Sequence, residues 1–328
     1  MKKLFEKQKR IITHSAVECF QECRVKYDYR YNRELIPAEP QTALDFGTAI
    51  HAGLEFWFKY GIEKGALEAA LTAGSQAGLS TENMIKVQAM LERYFEVYHS
   101  EPFEVIDVEK VFNVKLRNPK TWSYSKTFMF WGKVDGLVRI DKAYWILEHK
   151  TAREISADYL ECLELRAQTA LYAVAIEQET GLPIKGAIYD ILKKPGLKMT
   201  TEETPEEFEA RKAALLARSK TGKTTATRRE GETFDSFMGR CREAITPDYF
   251  KRVEIIIGIE RKREALDNLW RTAKDMMHAE IYPTSGACMK GGMVCPYMKL
   301  CKAHGDIAAC ADAYTTKQAH CELEEAQP

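Results

Sequence analysis

Apolar residues recur at helical spacing over residues 13–31, where Val17, Phe20, Cys23, Val25 and Tyr27 form a stripe and Ser15 stands at the expected N-cap. Leu35-Ile36-Pro37 predicts the stop. A second helix is expected over residues 43–59, with Phe46, Ile50, Leu54 and Trp57 on one face and His51 beside it, and two more fill residues 64–100. At Glu104 the period shortens to two. EVIDVEKVFNVKL, SKTFMFWGKVDGLVRI and AYWILEHK are rich in β-branched and aromatic residues, and Asp141-Lys142 predicts a tight hairpin between the last two. Residues 157–181 return to helical spacing and close at Gly181, and IKGAIYDILKK reads as a strand. Residues 195–245 are polar, predicting a helical insertion with a mobile stretch around SKTGKTTATRREG, and residues 246–280 carry a long helical pattern.

Helices, three strands, a helix and a strand make an α/β core. With no internal repeat and no low-complexity linker, one elaborated domain is expected over residues 1–301, with insertions at about 60–100 and 195–280 and a tail over 302–328.

Composition narrows the class. In 328 residues, 45% are hydrophobic, enough for a large core, and 48 basic residues balance 48 acidic ones, so any nucleic-acid contact must come from local patches. The basic start MKKLFEKQKR is not followed by a sustained apolar stretch, and no run approaches the roughly 20 residues that span a bilayer. A soluble, cytoplasmic protein without membrane contact is expected. Nine cysteines, an odd and mostly scattered set, do not describe a secreted disulfide scaffold.

The strongest chemical signal is Gly132-Lys133-Val134-Asp135-Gly136, with Glu148-His149-Lys150 beginning thirteen residues after Asp135. If the two strands pair as a hairpin, Asp135 and Glu148 come from neighbouring strands and converge on one ion, while Glu148 and Lys150, two apart, share a face. Two carboxylates suit Mg²⁺ or Mn²⁺, which prefer oxygen ligands, and a nearby ammonium suits the charge that develops when a phosphodiester is hydrolysed. The competing reading is a solvated sheet face, to which E-x-K alone would point.

In these residues the chain resembles the RecB-like branch of the PD-(D/E)XK nucleases, which includes CRISPR-adaptation exonucleases, AddB-type nuclease domains and phage relatives. The family order of a helical His, G-x-x-D, (D/E)-x-K and Q-x-x-x-Y is met by FGTAIHAGLEFW with His51, GKVDG with Asp135, EHK with Glu148 and Lys150, and QTALY with Gln168 and Tyr172. The resemblance implies a restriction-endonuclease-like fold, with a central mixed β-sheet flanked by helices. It implies that Asp135 and Glu148 are the main metal ligands, His51 and the carbonyl of His149 additional ones, and Lys150 the catalytic lysine. Gln168 and Tyr172 lie four apart on one helix face, placed to touch DNA or brace the lysine.

Cys288, Cys295 and Cys301 form a compact group in a Gly- and Pro-rich segment. By the same resemblance, Cys23 joins them to hold a [4Fe-4S] cluster that clasps the chain ends together. The six residues between Cys288 and Cys295 are more than that branch's closing pattern has. Spacing alone leaves a Cys₄ zinc site open. Cys19, Cys310 and Cys321 are reserve ligands, whereas Cys162 and Cys241 read as unrelated free thiols.

Arg24, Lys26, Arg30 and Arg33 lie among Tyr27, Tyr29 and Tyr31, a mixture suited to phosphate pairing and base stacking on single strands. A solvated basic face is the alternative. Lys220, Lys223, Arg228 and Arg229 make a second patch, and the TGKTT inside it is not a P-loop because Ala217 stands where that motif needs Gly. The expectation is a metal-dependent DNA exonuclease acting on single strands or ends, alone or with recombination, repair or CRISPR-adaptation partners. The alternative is a non-catalytic DNA-binding subunit that keeps the fold and the cluster.

Overall fold

The computed structural model describes residues 10–39, 42–219, 221–290 and 293–324. The chain begins with β1 (Arg10–Ile12), a strand too short to show in the sequence pattern, followed by α1 (His14–Glu22). Thr13, rather than Ser15, caps α1, its hydroxyl accepting from the Ala16 amide at 3.2 Å. The long first helix is broken at Cys23, whose extended backbone (φ −160°, ψ 120°) separates α1 from the single turn α2 (Arg24–Tyr27) and a π-turn over Asp28–Asn32. Leu35–Pro37, expected only to stop the helix, forms β2 and pairs antiparallel with Tyr314–Thr316.

Three helices follow, α3 (Thr42–Tyr60), α4 (Glu63–Gln76) and α5 (Thr81–Val97). Phe46, Ile50 and Leu54 are buried as their spacing predicts, and Trp57 stacks on Phe95 with ring centroids 4.6 Å apart. The three expected strands are β3 (Glu104–Arg117), β4 (Tyr124–Ile140) and β5 (Ala143–Ala152). Ile140 pairs with Ala143, which leaves Asp141-Lys142 as the two-residue turn, with Asp141 at φ 53° in the left-handed region that Asp tolerates.

The helical stretch over 157–181 divides into α6 (Ala157–Glu164) and α7 (Ala167–Thr180), the latter ending at Gly181 in the left-handed conformation. The carbonyl of Leu165, freed by the break, accepts from Arg261. After β6 (Ile184–Lys193) come α8 (Pro205–Arg218), started by a Thr204–Glu207 capping box, and α9 (Phe234–Ala244). The long helix expected over 246–280 begins only at Ile259. Its first part is instead β7 (Phe250–Ile256), an antiparallel edge strand on β6, ahead of α10 (Ile259–His278).

The sheet runs β1-β4-β5-β6-β7, with β3 along the other edge of β4. β1–β4 and β5–β6 are parallel and the remaining pairs antiparallel, so the sheet is mixed. β1 takes residues 128–130 of one edge of β4, and β5 takes residues 136–140 of that same edge. Residues 131–135 between them carry no ladder on that side, and this opening positions the site. One face is closed by α1, α7 and α10, which place Val17, Leu171, Tyr172, Leu266 and Leu269 against Phe112, Phe130 and Ile146. The other is closed by α3, α5 and α9 through Ile50, Leu54, Met90, Tyr94 and Phe237. A separate cluster of Tyr29, Leu35, Tyr297, Leu300 and Tyr314 joins the N- and C-terminal segments.

Candidate active site

β4 and β5 part just beyond the Gly136–Leu147 pair, and Asp135 and Glu148 are the next residues on the two strands. Asp135 replaces the missing ladder bond: its Oδ2 accepts from the backbone amide of His149 at 2.7 Å. Its Oδ1 lies 3.4 Å from Nδ1 of His51, which α3 delivers from the second helical layer. Burial pushes the Asp135 carboxyl up, but the His51 charge and hydrogen bond, with His149, hold it well below the usual carboxylate range. His51 moves the opposite way: burial lowers it, and Asp135 more than reverses that to leave it raised.

Glu148 is 3% exposed. Oε1 accepts from Lys150 Nζ at 2.5 Å, while Oε2 is buried without any hydrogen-bond partner. Burial raises the Glu148 carboxyl against the opposing pull of Lys150, and the Asp135 charge adds to the rise. Lys150 remains an ammonium, since Glu148 and Asp135 outweigh its own burial. It also donates to Gln168 Oε1 at 3.1 Å, and the Gln168 amide donates to the Tyr172 hydroxyl at 3.4 Å, so α7 braces the lysine with the two residues its i, i+4 spacing aligned.

An orphaned buried carboxylate oxygen beside a second carboxylate is costly unless a cation or a water meets it. Glu148 Oε2 is therefore an acceptor that a hard cation or a water could meet, close to the field of Asp135 and His51. The ring of His149 serves elsewhere. It bonds Asp190 at 2.9 Å and stacks on Phe58, which leaves only its backbone for the site.

Sequence reasoning missed three neighbours of this centre. Glu109 lies with His51 and Asp135 in a group whose ligand atoms all fall within 4.8 Å of one another. Buried His14 sets its ring edge-on to Tyr172, with centroids 6.3 Å apart. Asp190 accepts from Tyr94 at 2.5 Å and from Arg252 at 3.2 Å as well as meeting His149. The apolar strand GAIYDILKK around a single Asp was the available sign of a buried, paired carboxylate.

Cys23 is buried at the helix break, Cys295 and Cys301 are half-buried, and Cys288 is exposed, its carbonyl accepting from the Cys295 amide at 2.8 Å. Burial pushes the Cys295 and Cys301 thiols up, and the charges of Cys23 and Cys288 push each of them the same way. Among the described residues no three cysteine sulfurs fall within 4.8 Å of one another. The segments that carry them are nonetheless held together: the Tyr297 hydroxyl donates to the Leu35 carbonyl at 2.7 Å, and Tyr297 stacks on Tyr314. Of the reserve thiols, burial pushes Cys19 up to about 12, and Cys310 and Cys321 are half-buried.

The basic residues of the first helices are engaged by the protein itself. Arg24 lies over the Phe20 and Tyr282 rings, Lys26 pairs with Glu22, Arg30 lies over Tyr31, and Arg33 pairs with Asp28. In the second patch Arg228 bonds Glu202, the Arg229 amide donates to Glu203, and the Lys223 carbonyl accepts from Ser219, while Lys220 lies outside the described residues. Residues 223–231, within the stretch expected to be mobile, form no regular element and are tied to residues 200–203 by Glu203–Arg229 and Glu232–Thr200 backbone bonds.

A mixed sheet between two helical layers, with two carboxylates and a lysine where two strands part, defines a restriction-endonuclease-like protein. The family model of the PD-(D/E)XK nuclease superfamily matches residues 11–302, and the chain belongs to that superfamily, whose members are nucleases. No curated protein matches the sequence. Among solved structures, one described as the crystal structure of SSO0001 is similar at 13% identity, with 72% of this chain and 76% of that one covered and a TM-score of 0.28. That likeness is too slight to carry function across. No helix among the described residues is long and apolar enough to cross a membrane.

Proposed function

We propose that the protein is a Mg²⁺- or Mn²⁺-dependent DNA exonuclease of the RecB-like branch, acting on single strands or free ends, with Asp135, Glu148 and Lys150 at its cutting centre. The observation that carries this reading is the unpartnered Glu148 Oε2, buried next to a lysine that is already braced by Gln168. Asp135, Glu148, His51 and the backbone carbonyl of His149 would hold the ion. Once bound, it would polarise the scissile phosphate and acidify the attacking water.

The protein's own groups do the rest. Lys150 keeps its proton and offers it as a hydrogen bond to the phosphate oxygen on which negative charge grows. Gln168 fixes the direction of that ammonium, and Tyr172, its hydroxyl held protonated by burial, keeps Gln168 in place. The His149 amide locks one oxygen of Asp135 and leaves the other turned to His51. The preference for DNA ends and single strands follows from the likeness to the RecB-like branch.

The [4Fe-4S] cluster on Cys23, Cys288, Cys295 and Cys301 belongs to the same proposal, as do one nuclease domain over residues 1–301, a cytoplasmic setting and partners in recombination, repair, phage DNA processing or CRISPR adaptation. Support for the cluster comes from the resemblance and from the Cys288–Cys295 backbone bond and the tyrosine cluster that hold these segments together.

The experiment is cleavage of end-labelled linear single- and double-stranded DNA and of circular DNA, with Mg²⁺ or Mn²⁺, by the wild type and by Lys150→Ala. Loss of about 10²–10³-fold or more in rate is expected for the variant. Equal rates in both proteins would overturn the assignment.

A further inference from the structure

We propose that Glu109 is a ligand of the divalent cation, joining His51 and Asp135, and that Lys133 is the counter-ion that occupies it until the cation arrives. The proposal rests on the reading of this centre as a cation site and adds a residue to it.

Three features single out Glu109. It lies on β3 directly across from Asp135, between the Val108–Gly136 and Lys110–Val134 pairs, so the ladder itself sets the two carboxylates side by side. Its backbone adopts φ 54°, a region that non-glycine residues with long side chains rarely enter, and the surrounding sheet holds it there. Its side chain is 11% exposed, and its carboxylate comes within 4.8 Å of the ligand atoms of both His51 and Asp135.

Buried in this way, Glu109 is matched by one cation of the protein, Lys133, with which it forms an ion pair. The two partners differ in freedom. Lys133 is 35% exposed and can swing out to solvent when displaced, while Glu55, whose charge also acts on its ammonium, already pairs with Lys59. Glu109 has no such exit.

An independent observation points to a ligand at the same centre. Glu148 Oε2 is buried and unpartnered, and both Asp135 and His51 act on the Glu148 carboxyl. Glu109 and Asp135 share one group of ligand atoms with His51, and Glu148 lies near enough for the charges of Asp135 and His51 to act on it, where the protein supplies two ammonium groups and one imidazole. A divalent cation that displaces Lys133 would take Glu109 and Asp135 as ligands and neutralise the charge left on them.

This account makes the two members of one ion pair act in opposite directions. Mn²⁺ binding to the DNA-free protein, followed by titration calorimetry and by the loss of the free-ion electron paramagnetic resonance signal, is compared among wild type, Glu109→Gln, Lys133→Met and Asp135→Asn. Glu109→Gln is expected to weaken Mn²⁺ binding by about 10–100-fold, the range seen when a residue supporting a metal site is lost. Lys133→Met, which keeps Glu109 and removes its competitor, is expected to tighten it severalfold.

Weakening in both variants, with a matching fall in melting temperature, would mean a purely structural pair and would overturn the proposal. So would unchanged binding in Glu109→Gln when Asp135→Asn abolishes it, an outcome that leaves the cation site itself intact. If Asp135→Asn also binds Mn²⁺ as the wild type does, the centre is not a cation site and the broader reading falls with the proposal.

Discussion

The backbone amide of His149 donates to Oδ2 of Asp135 at 2.7 Å, across the gap where β4 and β5 part. The same residue turns its ring toward the α3 and α5 layer, edge-on to His51 with centroids 5.9 Å apart, and Asp190 takes it at 2.9 Å within a set completed by Tyr94, Arg252 and Glu101. One residue thereby ties the carboxylate of the site to the buried polar network beneath α5.

The buried Asp190 carboxylate makes stability depend on acid. Burial pushes its pKa up, but His149, Arg252 and Tyr94 more than compensate and hold it below its ordinary value of 3.8. A folded-state pKa below the unfolded one contributes stability that is present above the ordinary value and is lost as pH falls through the depressed one. Asp190→Asn is therefore expected to cost about 3–5 kcal/mol near pH 7, since it leaves Arg252 and His149 short of a buried partner. That deficit should narrow as pH drops below about 4. Urea unfolding of both proteins across that range checks it, and a deficit independent of pH would mean that the Asp190 charge is not what stabilises the fold.

Gly132 couples the fold to the lysine's brace. A Cβ at this position would collide with the ring of Phe112, which packs edge-on to Tyr172 at 5.1 Å. Gly132→Ala should lower stability by about 1–3 kcal/mol through overpacking, and should reduce DNA cleavage further than the lost stability explains, because Tyr172 holds Gln168. Thermal denaturation together with a cleavage rate measured well below the melting temperature separates the two effects.

The thiols give a spectroscopic test. Anaerobically purified protein is expected to be brown, with broad absorbance near ~400 nm, and Cys23→Ala or Cys295→Ala should lose both colour and iron. Because these cysteines lie in the segments joined by Tyr29, Tyr297 and Tyr314, loss of the cluster should also lower the melting temperature. A colourless protein carrying one zinc per chain would contradict the iron–sulfur assignment.

Much of the site was legible because its parts lie close together in sequence. Asp135, Glu148 and Lys150 belong to one hairpin whose turn, Asp141-Lys142, announces itself, and period-two spacing puts Glu148 and Lys150 on one face while excluding His149. Gln168 and Tyr172 were singled out by the family resemblance, and helical spacing then put them on one face. What escaped depends on pairing between distant segments. β1 is three residues long and gains its meaning only beside Phe128–Phe130, and β7 hid in a helical pattern because FKRVEII buries only Phe250 and Ile255 at the sheet edge. Glu109 looked like one charge in an alternating strand. The β3–β4 register that sets it across from Asp135, and its left-handed backbone, are properties of the folded chain.

The central claim is that this centre cuts DNA with a bound divalent ion. The most direct test is a time course on end-labelled single-stranded DNA in Mn²⁺, comparing the wild type with Asp135→Asn after both show the same circular dichroism spectrum. Shortening from the ends by the wild type, abolished by EDTA and by the substitution, is the predicted result. Equal degradation by the two proteins, or none by the wild type with either Mg²⁺ or Mn²⁺ on linear and circular substrates alike, would contradict it.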